Sequence, residues 1–210
     1  MQFRAPHFDL CLVTDRTQTR GKDLLWVLEQ AFHGGVEAVQ LREKDLGGKE
    51  LLHLAERVMR LCEPYRAALL INDRVDVALA VDAHGVQIGG ASVPIEAARA
   101  LVGENKLIGA SIHSLNEAEA AARAGADFLL FGPIYFTPSK AAYGEPQGLA
   151  PLREVVEKIS LPVYAIGGVN AENISEVKKT GVRGVALISA IISAADPEKA
   201  ARDVLRALRR

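Results

Sequence analysis

Phe8-Asp9-Leu10-Cys11-Leu12-Val13-Thr14-Asp15-Arg16-Thr17-Gln18 is the stretch on which the fold turns. Its first six residues read as a buried strand, and the five that follow form a polar turn without a glycine. Buried strands alternating with helices fit two architectures, an open doubly wound sheet and a closed barrel. The open sheet expects a glycine-rich loop directly after its first strand. Thr14 to Gln18 offers none, so the reading goes to the barrel.

Seven further apolar runs extend that reading: 38–41, 67–71, 85–88, 107–110, 128–131, 162–166 and 184–188. Stretches of helical spacing lie between them. Leu24, Val27, Leu28 and Ala31 share one helical face, as do Leu51, Leu54, Ala55 and Val58. The pattern returns at Val155, Val156 and Ile159, and at Val204, Leu205 and Leu208. Strands apolar on both faces belong to a parallel sheet covered by helices. Eight strands and about eight helices predict an α/β fold of the (β/α)8 TIM-barrel type, as one domain over residues 1–210. Asp73 and Ser114 are expected to open helices, and Glu117 stands at capping-box distance from Ser114.

Composition narrows the function. Hydrophobic residues make up 49% of the 210, aromatic residues only 5%, and the formal net charge is −1. With no basic run beyond Arg209-Arg210, nucleic acid and anionic membranes are excluded as expected partners, leaving small molecules. Cys11 and Cys62 have no metal-ligand spacing and read as core thiols. Met1 to Asp9 contains no long apolar stretch, so the expectation is a cytoplasmic protein.

In a barrel the carboxyl ends of the strands carry the chemistry. The second strand ends Gln40-Leu41-Arg42-Glu43-Lys44, and alternation puts Gln40, Arg42 and Lys44 on one side. An amide and two cations there suit a polyphosphate. The third ends Asn72-Asp73, either an ordinary cap or a substrate amide beside an Mg²⁺ carboxylate. Ser111 and His113 share a side after the fifth. Residues 132–148, with three prolines and three glycines, form a long loop whose Thr137, Ser139 and Lys140 could clamp a phosphate. Ile166-Gly167-Gly168-Val169-Asn170 and Leu187-Ile188-Ser189-Ala190 follow the last two strands, where barrels often bind phosphate on backbone N–H groups.

These pieces together resemble the thiamine phosphate synthase/TenI family. The resemblance rests on Leu12-Val13-Thr14-Asp15, Val39 to Lys44, Ile71 to Asp76, Ser111 to Ser114, Ala124 to Asp127, Gly132 to Lys140, Ala165 to Gly168 and Ile188 to Ile191, in order. It implies a transferase that joins 4-amino-5-hydroxymethyl-2-methylpyrimidine diphosphate to a thiazole phosphate, releasing pyrophosphate. By similarity Arg42, Lys44 and Lys140 contact the pyrophosphate, with Ser111 assisting. Gln40 and Asn72 face the pyrimidine, and Asp73 binds Mg²⁺. Thr137 and Ser139 line the thiazole, while Gly168, Ile188 and Ser189 anchor its phosphate. Relatives with this fold commonly pair, which implies a possible homodimer.

Two positions depart from the pattern. Ser92 stands where synthases usually carry a second metal carboxylate, and Gln87 to Ser92 is closer to the TenI branch. That branch places a catalytic His where this chain has Pro133. A TenI-like thiazole tautomerase and a non-catalytic thiazole phosphate binder therefore stand beside the synthase as alternatives.

Overall fold

Leu10 and Leu12 face the helices while Cys11 and Val13 face inward, and this alternation repeats around the molecule. The computed structural model describes residues 6–137 and 145–209. Eight strands pair in parallel and close into a barrel in chain order. They are β1 (Leu10–Val13), β2 (Ala38–Leu41), β3 (Ala68–Asn72), β4 (Gly85–Ile88), β5 (Leu107–Ile112), β6 (Phe128–Phe131), β7 (Val163–Ile166) and β8 (Gly184–Leu187). Nine α-helices are present among the described residues: α1 (Leu24–His33), α2 (Gly48–Cys62), α3 (Val75–Ala80), α4 (Ile95–Val102), α5 (Leu115–Arg123), α6 (Leu149–Lys158), α7 (Ile174–Lys178), α8 (Ser189–Ile192) and α9 (Pro197–Arg209). The count exceeds one per strand because β8 is followed by the four-residue α8 and then by α9. Among the described residues no helix is long and apolar enough to cross a membrane.

The barrel interior changes character along its axis. At the amino end Phe8, Phe128 and Tyr164 form a plug, with ring centroids 4.8 to 5.7 Å apart. Tyr164 donates its hydroxyl to the Phe8 carbonyl at 2.8 Å, which satisfies a polar tip inside an apolar core. Gly109 lies inside the barrel beside this plug, and a side chain there would run into the Phe128 ring and the Gln87 amide. Small and large interior residues thus complement each other, as filling a narrow barrel requires. Burial pushes the Cys11 and Cys62 thiols up to about 12, which fits inert core positions.

Toward the carboxyl end the interior becomes polar. Gln40 and Gln87 are buried there, with Asn72 and Ser111 half-buried. Register explains how they converge. Gln40 pairs with Leu70, two residues before Asn72, and Gln87 pairs with Asn72 on one side and with Gly109, two residues before Ser111, on the other. The steps from Gln40 to Asn72 and from Gln87 to Ser111 therefore lift the next inward polar residue toward the rim, while Asn72 and Gln87 lie level.

Two local expectations differ from what is observed. Asp73 does not cap a helix: α3 begins at Val75 behind Arg74, which makes no side-chain cap bond. Asp73 instead adopts a left-handed φ of 61° and turns its carboxylate toward the loop after β4. Ile159 lies beyond α6 in extended backbone, because the helix stops at Lys158. Ser114 does cap α5, accepting the Glu117 N–H at 3.2 Å, while the Glu117 carboxylate accepts the N–H of His113 at 2.7 Å.

Candidate active site

Thr14 begins the site. Its buried side chain accepts the N–H of Arg42 at 2.9 Å, and its own N–H donates to the Gln40 carbonyl at 2.9 Å. The turn after β1 is thereby fastened to the end of β2, and Arg42 leaves the strand in a fixed direction. Burial works against the charged form of Asp15, but hydrogen bonds from Thr17 and Gln18 and the nearby Arg42 cation outweigh it. Its carboxyl is held below the usual carboxylate range.

Glu43 faces away from the interior, as alternation requires. It is buried and accepts the Arg16 N–H at 3.1 and 3.2 Å. Burial raises its carboxyl despite opposing bonds from Thr14 and Arg16. Lys44 lies in the turn beyond the strand and is exposed. β2 ends at Leu41, so Arg42 and Lys44 both lie beyond the strand whose alternation sets Gln40.

A continuous hydrogen-bonded chain crosses the next strands. Gln40 donates from Nε2 to Asn72 Oδ1 at 2.8 Å, and Asn72 donates from Nδ2 to Asp73 Oδ2 at 2.6 Å. On the other carboxylate oxygen, Asp73 Oδ1 accepts the Gly89 N–H at 3.3 Å and the Ser92 hydroxyl. Gly89 also donates to Ser92 Oγ at 3.0 Å. Beside this chain, Gln87 donates from Nε2 to Ser111 Oγ at 3.0 Å. His113 does not join Ser111 in the site: its side chain is exposed and its ring Nδ1 sits against the Gly132 carbonyl, latching β5 to β6.

The other half of the rim is shaped by backbone. Gly167 and Gly168 have φ of 94° and 69°. A Cβ on Gly168 would lie 2.6 Å from Tyr135 Cβ and 3.0 Å from the Phe136 carbonyl oxygen. The position needs glycine both for its left-handed backbone and for space. Tyr135 N–H donates to the Gly167 carbonyl at 3.0 Å, and Asn173 donates from Nδ2 to the Gly168 carbonyl at 2.9 Å, so the glycine loop is held from both sides. Thr137 Oγ1 is buried without a hydrogen-bond partner among the described residues. Ser139 and Lys140 lie outside the described residues. Ile188 caps α8, and the exposed Ser189 is its first residue, so the Ser189 and Ala190 amides precede the first intrahelical bonds. Lys22 donates to the carbonyls of Ala194 and Ala195 at 3.0 and 2.7 Å, fixing the chain just after that helix.

The structure thus links Gln40, Asn72, Asp73 and Ser92 directly, and Ser111 through Gln87. Gly168 and Thr137 meet through the Tyr135 and Phe136 backbone, while Ile188 and Ser189 stand at the end of β8. Two cavities elsewhere include none of these residues. One of about 170 Å³ adjoins Asp9 and Arg183 before β1 and β8, and one of about 420 Å³ adjoins Gly34 and Arg202. Thr14 and Gln87 were missed by sequence reasoning. Gln87 had a usable signal, a lone amide in an otherwise apolar strand. Among the described residues no three His, Cys, Asp or Glu side chains converge on a metal-sized space. The single Asp73 carboxylate, with hydroxyl and amide neighbours, suits the way Mg²⁺ binds one or two carboxylates plus substrate phosphates.

The comparisons with known proteins bear on this rim. A family model described as thiamine monophosphate synthase matches residues 10–191. The chain is 52% identical over 201 residues to a putative thiamine-phosphate synthase of Geobacter sulfurreducens, covering 96% of this chain and 94% of that one. It is 42% identical over 196 residues to the thiamine-phosphate synthase of Clostridium novyi, covering 93% and 96%. A solved thiamine phosphate pyrophosphorylase from Pyrococcus furiosus is similar with a TM-score of 0.88 at 40% identity, covering 96% of each chain. A 3-hexulose-6-phosphate synthase structure, TM-score 0.70 at 20% identity, shares the fold.

Proposed function

This chain belongs to the thiamine monophosphate synthase family, and from that premise we propose how its rim residues divide the work of the reaction. The reaction couples 4-amino-5-hydroxymethyl-2-methylpyrimidine diphosphate with a thiazole phosphate to give thiamine phosphate and pyrophosphate. The bond from the pyrimidine methylene carbon to the diphosphate oxygen breaks, and its electron pair leaves with pyrophosphate. The thiazole nitrogen lone pair then forms the new carbon–nitrogen bond. No proton is transferred and no protein nucleophile is needed, so catalysis rests on stabilising the leaving charge and positioning the acceptor.

Arg42, Lys44 and Lys140 contact the departing pyrophosphate, and Ser111, oriented by Gln87, adds a neutral donor. Asp73 holds Mg²⁺, which when bound neutralises diphosphate charge. Gln40 and Asn72 face the pyrimidine, with each amide's orientation constrained by the next bond in the chain. Thr137 and Ser139 line the thiazole, and a buried Thr137 hydroxyl lacking a partner among the described residues fits a substrate contact. Gly168, Ile188 and Ser189 receive the thiazole phosphate on backbone amides and a hydroxyl. Leu130, Ile166 and Ile188 contribute to an apolar interior that keeps water from the cationic carbon.

The observation that carries this division is the polar row Gln40, Asn72, Gln87 and Ser111, which faces inward at the carboxyl ends of four adjacent strands. In the same reading the working form is a cytoplasmic homodimer, and light scattering on the purified protein tests its size. The decisive experiment mixes the protein with both substrates and Mg²⁺ and follows thiamine phosphate and pyrophosphate together. Equal amounts of the two products are expected. Tight thiazole phosphate binding with no product at any Mg²⁺ concentration would instead point to a tautomerase or a binder.

A further inference from the structure

The Asp73 carboxylate is held by three donors from its own chain. Oδ2 accepts the Asn72 amide, and Oδ1 accepts both the Gly89 N–H and the Ser92 hydroxyl. Because the Gly89 N–H also donates to Ser92 Oγ, it occupies that oxygen's acceptor side and directs the hydroxyl proton toward Asp73. These donors stabilise a carboxylate without bringing a second negative charge. They also hold a non-glycine residue at a φ of 61°, a conformation that persists only where its surroundings determine it.

A divalent cation approaching this carboxylate alone gains one charged ligand and loses part of its attraction to the donors already bound on both oxygens. No cluster of three acidic, His or Cys ligands is there to offset that loss among the described residues. Mg²⁺ gives up its water reluctantly, so one carboxylate is weak compensation. A diphosphate carries the charge that the protein lacks.

We propose that Ser92 is a positioning residue which holds Asp73 ready in the free enzyme, and that the divalent cation enters only together with the diphosphate. This order of binding rests on the assignment of Asp73 as the metal ligand under Proposed function. A carboxylate at position 92 would convert the site, since two acids in contact repel one another until a cation joins them. The serine makes the empty site comfortable and the metal dependent on substrate.

Equilibrium dialysis with Mn²⁺ as probe and inorganic pyrophosphate as the diphosphate tests this without turnover. The parent protein should retain Mn²⁺ only when pyrophosphate is present. Ser92→Asp should retain Mn²⁺ alone, with an affinity on the order of tenfold or more above the parent. Ser92→Ala adds no charge and should weaken retention of the Mn²⁺–pyrophosphate pair several-fold, on the order of the loss for other groups that orient a metal ligand. Thermal melts of both variants with and without Mn²⁺ establish that they fold. The proposal fails if the parent binds Mn²⁺ alone as tightly as Ser92→Asp does. It fails equally if pyrophosphate brings no Mn²⁺ onto the protein, or if Ser92→Ala matches the parent. Absence of thiamine phosphate in the coupled assay would overturn the proposed function but leave the dialysis result readable.

Discussion

Thr14 Oγ1 accepts the backbone N–H of Arg42 at 2.9 Å, joining the turn after β1 to the residue that leaves β2. The threonine is fully buried, so Thr14→Val keeps the shape but leaves that N–H without its acceptor. The cost should be about 1–3 kcal/mol. For a chain of this size each kcal/mol lowers the melting temperature by roughly 2–4 °C. Because Arg42 is read as a diphosphate contact, KM for the pyrimidine diphosphate should rise more than KM for the thiazole phosphate. Equal changes in both would make Thr14 a residue of the fold alone.

His84 predicts a pH dependence of stability. Its Nδ1 accepts the Leu69 N–H at 3.0 Å, a bond only the unprotonated nitrogen can make. Burial, aided by the Lys106 charge, lowers its pKa from 6.5. The folded protein therefore binds fewer protons here than the unfolded chain does. The stability from His84 is present above pH 6.5 and is lost as pH falls through the lower, folded pKa. Melting temperature should decline between pH 7 and 5, and His84→Gln should flatten that part of the profile. An unchanged slope in the variant would assign the decline to other groups.

The strands were legible because a parallel strand covered on both faces leaves a nearly unbroken apolar run. Those at 38–41, 85–88 and 128–131 coincide with β2, β4 and β6. β5 runs two residues past its apolar stretch, since Ser111 belongs to the strand but faces the polar interior. Local chemistry misled at Asp73: an Asp before a helix looks like a cap, and only the Gly89 and Ser92 donors, brought close by strand pairing, reveal its other task. Ser92 is 19 residues away, too far for any local rule to connect. Thr14 was hidden for a similar reason, because its partner belongs to the neighbouring strand's end.

Gly168→Ala puts two costs on one position. The left-handed backbone disfavours a side chain, and the added methyl would lie 2.6 Å from Tyr135 Cβ and 3.0 Å from the Phe136 carbonyl. A loss of about 1–3 kcal/mol is expected from strain. The loop must shift to relieve the overlap, which displaces the backbone assigned to the thiazole phosphate. KM for that substrate should therefore rise by more than tenfold, while binding of pyrimidine diphosphate, followed by calorimetry, stays near the parent value. If both affinities fall together, the glycine loop and the diphosphate side form one unit and the division between them is wrong.

Gln87 and Ser111 offer a test of positioning that does not depend on stability. Ser111 is a half-buried residue at the barrel mouth, so water is expected to replace the Gln87 donor in Gln87→Leu, and the fold should tolerate the change. The hydroxyl would then be free to turn away from the diphosphate. Ser111→Ala removes the donor itself and should lower kcat by about tenfold, the effect of a neutral hydrogen bond near 1.4 kcal/mol. Gln87→Leu should lower kcat by a similar factor, because an unoriented hydroxyl contributes little to a developing charge. If Gln87 acts only through Ser111, the double variant should be no slower than Ser111→Ala. Two single losses that multiply in the double variant would show instead that Gln87 meets the substrate on its own.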